Sequence, residues 1–470
     1  MGIDFFILMK SELSLMLIIF LLLIIKVQDN GIKGTSLLNF INFVLLLNFV
    51  FGFLFNQTGD LFNGMYHTNN VLALEKNILN FGTLIISLQA FDWLKNHRHL
   101  IEFYVLLLCT LLGMFYMISS NNLLMFYLGL ELSSIPLAAL VNIDTEKKKS
   151  SEAAAKMILS SAFASGIMLF GISMLYGVTG TLNFNEMAPM LNAGSHLQIL
   201  SFIFVFAGFA FKLSAVPFHL WTADVYEGAP VSVTAYLSVI SKASIVFIFT
   251  TVMFSLFQKF AGMWYNMLFL TIAITITIGN LFAIRQNNIK RFLAFSSIAQ
   301  VGYILLGLSS GTGMGASSSI YFLIIYTFSN LGAFGVVSMV SAHTGKENIS
   351  DYKGFYTNNK MAGWVLAISL FSLAGIPPTA GFFGKMFLVS AGAAKGNYIL
   401  VTIAVLNMVA SLYYYLRVVK AIFIDQNDTP IVKIQSSNSL RIALAVCMIG
   451  IVCTGFTTGL FEYINSMIGK

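Results

Sequence analysis

Stretches of roughly twenty apolar residues, separated by short polar breaks, recur along nearly the whole chain. A run of that length crosses the hydrocarbon core of a bilayer as an α-helix. About fourteen are predicted, at 11–28, 36–56, 71–94, 100–119, 121–141, 153–178, 198–221, 229–257, 264–284, 289–308, 315–342, 362–393, 396–424 and 440–464. Only the stretches near 57–70, 179–197, 343–361 and 425–439 leave room for substantial loops, so no soluble catalytic domain is accommodated. The first run leads straight into further ones, and no cleavable leader is expected. The predicted fold class is an all-α polytopic membrane protein.

Composition agrees. Of 470 residues, 57% are hydrophobic and 10% charged, with mean hydropathy +0.83; a soluble domain carries about 25% charged residues. The charges alternate between loops. One set holds most of the Lys and Arg, including Lys147, Lys148, Lys149, Arg285, Lys290, Arg291, Arg417 and Lys420. The opposite set holds only Lys10, Lys259, Lys395, Lys470 and Lys76. Positive loops stay inside, which predicts both termini on the outer side. The net charge of +7 is thereby explained without nucleic acid. Cys109, Cys447 and Cys453 all fall in apolar runs, with no metal-ligand or iron–sulfur spacing. No glycine-rich nucleotide loop is present.

Two short matches suggest an internal repeat. Ser133-Ser134-Ile135 recurs as Ser296-Ser297-Ile298, and Leu213 through Pro217 recurs as Leu373 through Pro377. Each pair lies five helices apart, an odd number, so the second copy runs upside down. Pro217 and the Pro377-Pro378 pair remove backbone donors inside runs 7 and 12 and predict broken helices there. Inverted repeats with broken helices mark transporters and point to the ion path.

Ionisable residues inside the runs are expensive and face a partner, a cavity or a pathway. Glu131 is about ten residues from either end of its run, roughly 15 Å from water at 1.5 Å per residue. It is either a carboxylate pinning two helices or a charge coupled to a lysine. Lys212 sits deep in run 7, Lys242 in mid-run 8, and Lys385 eight residues after the proline pair. For Lys242 and Lys385 the plainer alternative is snorkelling. Lys156 follows Glu152 by one turn and is readable as a surface pair or as a group tuning Lys212. His219, after Pro217, is a core histidine or a relay group. Lys290 and Arg291 read as inward anchors, with an inward water path lined by Lys290 as the alternative, and Asp224 and Glu227 read as loop caps. The lysines and glutamate together suggest that the chain moves protons.

The runs Gly129 through Leu132, Lys212 through Pro230 (with His219-Leu220-Trp221), Asn288 through Arg291 and Ser372 through Pro377 resemble the antiporter-like membrane subunits of respiratory complex I. The likeness covers helices 4 to 13. Gly384-Lys385 and the absence of a long lateral helix resemble the N-type members rather than the M and L types. The resemblance implies two inverted five-helix repeats, helices 4–8 (99–258) and 9–13 (259–425), flanked by three N-terminal helices (1–98) and a C-terminal helix (426–470). It also implies that Glu131 lies beside Lys212, that protons pass from Lys212 through Lys242 to Lys385 as the outward exit, and that Lys156 and His219 assist. Many relatives carry histidine where Gln300 stands here, and glutamine cannot take up a proton. No cofactor is expected in this chain; FMN, iron–sulfur clusters and quinone are expected in partner subunits. The implied partners are other membrane subunits and, indirectly, the peripheral arm, in a bacterial cytoplasmic membrane. A subunit of a multi-subunit sodium/proton antiporter or membrane hydrogenase is the nearest rival reading. A stand-alone carrier is the next, and a scaffold without transport the last.

Overall fold

The computed structural model describes residues 3–28, 33–457 and 459–468; Lys470 lies outside them. Among the described residues, thirteen helices are long and apolar enough to cross a membrane, and two shorter ones form the halves of a fourteenth crossing. In chain order, helix 1 is Lys10–Gln28, helix 2 Gly34–Phe51, helix 3 Asn70–Gln89, helix 4 Leu100–Ile118, helix 5 Leu123–Val141 and helix 6 Lys148–Thr179. Helix 7 is His196–Leu213, resuming after a break as Leu220–Gly228. Helix 8 is Val231–Leu256, helix 9 Gln258–Ile284, helix 10 Ile289–Leu308 and helix 11 Gly313–Thr344. Helix 12 is split into Lys360–Ala374 and Ala380–Ala393, helix 13 is Tyr398–Phe423 and helix 14 Asn438–Phe456. The fourteen crossings and both breaks fall where the hydrophobic pattern puts them. Two details differ. The last predicted run stops at Phe456, and a separate helix, Gly459–Ile468, follows. The loop before helix 3 holds a small antiparallel ribbon, Gly59–Leu61 with Tyr66–Thr68.

Helices 10 and 11 are enclosed almost all round and form the centre of the molecule. Around them the two halves repeat, in a register the short sequence matches missed. Asn122 caps helix 5 by accepting from Leu124 N (2.8 Å), and Asn288 caps helix 10 by accepting from Lys290 N (2.9 Å). Asn122 bridges to Asn183, and Asn288 to Asn348, just past two 32-residue helices that both end on a left-handed glycine, Gly180 and Gly345. Helix 4 meets helix 5 so closely that a Cβ on Gly113 would fall 2.5 Å from Ser133 N. Helix 9 meets helix 10 the same way, with Gly279 at 2.8 Å from Ala299 N. Caps and glycines therefore align Asn122 with Asn288, Gly113 with Gly279, Ser133 with Ala299 and Ser134 with Gln300. The Ser-Ser-Ile match is out of register by three residues: backbone contacts, not short identities, fix how helices pair.

The breaks repeat as well. In helix 7, Ser214 is left-handed (φ 61°) and Ala215 N reaches back to Ala210 O at 2.8 Å. In helix 12, Gly375 is left-handed (φ 85°) and Ile376 N reaches Phe371 O at 3.0 Å. Both are helix ends in which a left-handed residue turns the chain and a backbone N–H recovers a carbonyl of the last turn. This register aligns Pro217 with Pro378, and Lys212 with Leu373, one residue away from the match read in the sequence.

Candidate functional site

Lys212 occupies the last turn of helix 7 before its break. Its Nζ donates to Ser134 Oγ of helix 5 and Ser161 Oγ of helix 6, both at 2.7 Å. Glu131 lies one turn before Ser134. No cation among the described residues comes within 4.0 Å of it, and its buried Oε1 has no hydrogen-bond partner. The direct ion pair that the resemblance implied is thus replaced by a serine contact, with the carboxylate one turn away.

Lys242 is 3% exposed and follows directly on a π-helical segment, Leu237–Ser241. Such a segment widens the helix and re-aims the side chains around it. Lys242 Nζ donates to Ser297 Oγ of helix 10 at 2.6 Å and lies 5.6 Å from the Tyr226 ring centre. One turn before it, Ser238 joins a buried cluster: Asn330 Nδ2 donates to Ser238 Oγ (2.7 Å) and to Tyr326 OH (2.6 Å).

Lys385 is held by the break in helix 12. In a continuous helix the carbonyls of Leu373 and Ala374 would accept from residues 377 and 378. Both are prolines and have no N–H to give. Lys385 Nζ reaches back and donates to both carbonyls, at 2.6 and 3.3 Å. Its ammonium lies 4.9 Å from the Tyr303 ring centre. Gln300 Nε2 shares the Leu373 carbonyl at 3.0 Å and also donates to Tyr415 OH at 3.1 Å. Helix 10 thus carries Ser297, Gln300 and Tyr303 at three-residue spacing, contacting Lys242 at one end and Lys385 at the other.

The remaining predicted residues fall elsewhere. Lys156 is half-exposed and pairs with Glu152 (2.7 Å) and Asp224 (2.8 Å), so the surface-pair reading describes its contacts. His219 is buried, stacks near Phe282 and makes no hydrogen bond to any of the lysines. Pro217 and Pro377 stand at the breaks.

Three features add to the sequence reading. Asp224 and Glu227 are not simple caps: Arg291 Nη1 binds both, at 2.7 and 3.0 Å, joining the second half of helix 7 to helix 10. Lys290, almost fully buried, pairs with Glu347 at 3.0 Å beside a cavity of about 410 Å³ that opens among the lysine-rich loops. Across that cavity's rim, burial alone would raise the Asp144 carboxyl, but hydrogen bonds from His97 and Lys147 outweigh it and hold the group below its usual range. Finally, Glu12 and Lys76 form a wholly buried ion pair at 2.6 Å, with Tyr66 OH 3.1 Å from each. Both charges lie near the ends of their runs, where charge pattern alone reads as terminal anchoring.

The family described as "NADH:quinone oxidoreductase/Mrp antiporter, TM" matches residues 120–411, more than half of the chain. NADH-quinone oxidoreductase subunit N of Phocaeicola vulgatus is 49% identical over 86% of this chain and 86% of its own. Subunit N of Azobacteroides pseudotrichonymphae is 48% identical over 88% and 87%. The chain belongs to the subunit N family of NADH-quinone oxidoreductases. Among solved structures, a chain of respiratory complex I from Thermus thermophilus with bound aureothin shares 26% identity, covers 97% of each chain and superposes with a TM-score of 0.78. A chain of the Mrp complex from a Dietzia species superposes at 0.88 with 19% identity, covering 100% of this chain and 97% of that one, a likeness of fold alone. This subunit N family member has no group of three or more His, Cys, Asp or Glu placed to hold a metal among its described residues.

Proposed function

We propose that this subunit N family member carries protons along a row of intramembrane lysines while its partner subunits pass electrons from NADH to quinone. The row runs from Lys212 through Lys242 to Lys385. The observation that carries the reading is the central stretch: Lys242 on Ser297, and Gln300 on the same Leu373 carbonyl as Lys385, with Ser297 and Gln300 three residues apart on helix 10. A buried lysine whose hydrogen-bond partners are all neutral has no fixed counter-charge to hold its proton in place. Glu131, one turn from the Ser134 contact, would strengthen or weaken Lys212's hold on its proton as their separation changes. FMN, iron–sulfur clusters and quinone belong to partner subunits, and other membrane subunits of the complex are the neighbours. The lysine-rich loops face the cytoplasm, with both termini on the outer side of a bacterial cytoplasmic membrane. The repeat units are 99–258 and 259–425, flanked by 1–98 and 426–470. Lys156 and His219 would act only at a distance from this row. The antiporter reading has fold likeness behind it, but the relatives that approach half identity are named for the oxidoreductase.

The test is NADH-driven proton pumping in membrane vesicles with Lys212→Ala, Glu131→Ala and Lys385→Ala. Loss of pumping and of NADH oxidation in an assembled complex is expected. Normal pumping in all three would refute the relay.

A further inference from the structure

We infer that Gln300 is the positioning residue for Lys385: it keeps the Leu373 carbonyl satisfied when the lysine lets go of it. The inference rests on the proton-translocating reading above. The prolines at 377 and 378 leave the Leu373 and Ala374 carbonyls without backbone donors. Among the described residues, Ala374 O has only Lys385, whereas Leu373 O accepts from both Lys385 and Gln300. The amide orientation follows from chemistry: a carbonyl only accepts, so it is the Gln300 nitrogen that points at it.

Both side chains are buried, Gln300 at 1% and Lys385 at 3% exposure. A buried carbonyl stripped of its donors is costly. If Lys385 were the sole donor to both carbonyls, releasing the ammonium would orphan two at once and the lysine would be trapped on the break. With Gln300 in place, release uncovers one. Around the pair lie the Tyr303 ring under the ammonium, and Tyr415 OH between Gln300 and Ser296. Among the described residues, no acidic group approaches Lys385 within 4.0 Å.

The repeat supplies a second, independent argument. The register set by caps and glycines aligns Gln300 with Ser134, and the register of the breaks aligns Leu373 with Lys212. In the first half, Ser134 touches the Lys212 ammonium itself. In the second half, the same two positions meet as an amide and a carbonyl, and the ammonium is brought in from Lys385. One place in both halves attends to the lysine at the break.

The experiment measures proton pumping and NADH oxidation by the whole complex in vesicles for Gln300→Leu, Gln300→His and Gln300→Glu, beside Lys212→Ala and Lys385→Ala. Gln300→Leu is expected to slow both rates roughly tenfold, the worth of one buried hydrogen bond at a rate-limiting release. Gln300→His, whose ring N–H can donate to the same carbonyl, is expected to recover most of the loss. Gln300→Glu cannot donate when ionised and is expected to be as slow as the leucine variant or slower. Wild-type rates in Gln300→Leu, or a histidine variant as slow as the leucine one, would overturn the inference. If the leucine variant fails to assemble, the two polar variants decide: fast histidine with slow glutamate supports it, and equal rates overturn it. If the lysine variants also pump normally, the translocation reading itself falls; if they fail while Gln300→Leu pumps normally, only the role of Gln300 does.

Discussion

The two lysine–serine contacts differ in a way that should be measurable. Among the described residues, Lys242 has one side-chain hydrogen bond, to Ser297 Oγ at 2.6 Å, whereas Lys212 divides its hold between Ser134 and Ser161. A hydrogen bond to a charged group is worth about 1.5–3 kcal/mol, and about 1.4 kcal/mol is a factor of ten. Removing that hydrogen-bond partner with Ser297→Ala should therefore slow NADH-driven pumping roughly tenfold or more. Ser134→Ala leaves Ser161 in place, and the ammonium can re-centre on it; a loss of roughly threefold or less is expected. Both substitutions delete one oxygen from a buried helix face, so packing cost is matched between them. The assay is proton uptake by inverted vesicles after NADH addition, with NADH oxidation by a soluble electron acceptor confirming that the complex is intact. Equal losses in the two variants, or a larger loss in Ser134→Ala, would refute the argument that hydrogen-bond count at each ammonium sets the effect. The double variant Ser134→Ala/Ser161→Ala should then fall to the level of Ser297→Ala.

Breaking the buried Glu12–Lys76 pair with Glu12→Gln or Lys76→Met alone should destabilise the three N-terminal helices by about 3–5 kcal/mol, because an uncompensated charge is left behind; the double variant should recover most of this in thermal unfolding of the purified complex. Gly279→Ala should loosen helix 9 from helix 10 by about 1–3 kcal/mol, and Gly113→Ala should do the same to helices 4 and 5, read as lowered thermal stability of both. A large effect at one glycine and none at the other would count against the shared register. The depressed Asp144 carboxyl contributes stability that is full above the ordinary aspartate value, about 3.9, and is lost as pH falls through its lower folded value. Hydrogen exchange in the 142–147 loop should thus stay slow at neutral pH and quicken only below about pH 4, a response absent in Asp144→Asn.

Much of this architecture is legible in the sequence, because lipid leaves little choice: each backbone polar group must be satisfied within a helix, so apolar length dictates crossings. The breaks at Pro217 and at Pro377-Pro378 were legible for the same reason, and Lys212, Lys242 and Lys385 stand out as charges in apolar runs. What was not legible is how side chains meet across helices. Nothing in the order of residues says that Lys212 rests on Ser134 and Ser161 rather than on Glu131, or that Lys385 folds back onto carbonyls eleven and twelve residues behind it. The Glu12–Lys76 pair escaped because its members are 64 residues apart and close to run ends. The repeat shows in the sequence as tripeptide and pentapeptide matches three and one residues out of register, while the marks that carry the true register, Asn122 with Asn288 and Gly113 with Gly279, are single residues with no local signature.

The left-handed turns at Ser214 and Gly375 interrupt two helices that cross the bilayer in opposite directions. Two copies of one segment laid in opposite senses place the same left-handed turn once in each direction of crossing. A single broken helix, duplicated and inverted, thus provides two interruptions of one design. Later substitutions have only to decide which side chain attends each break.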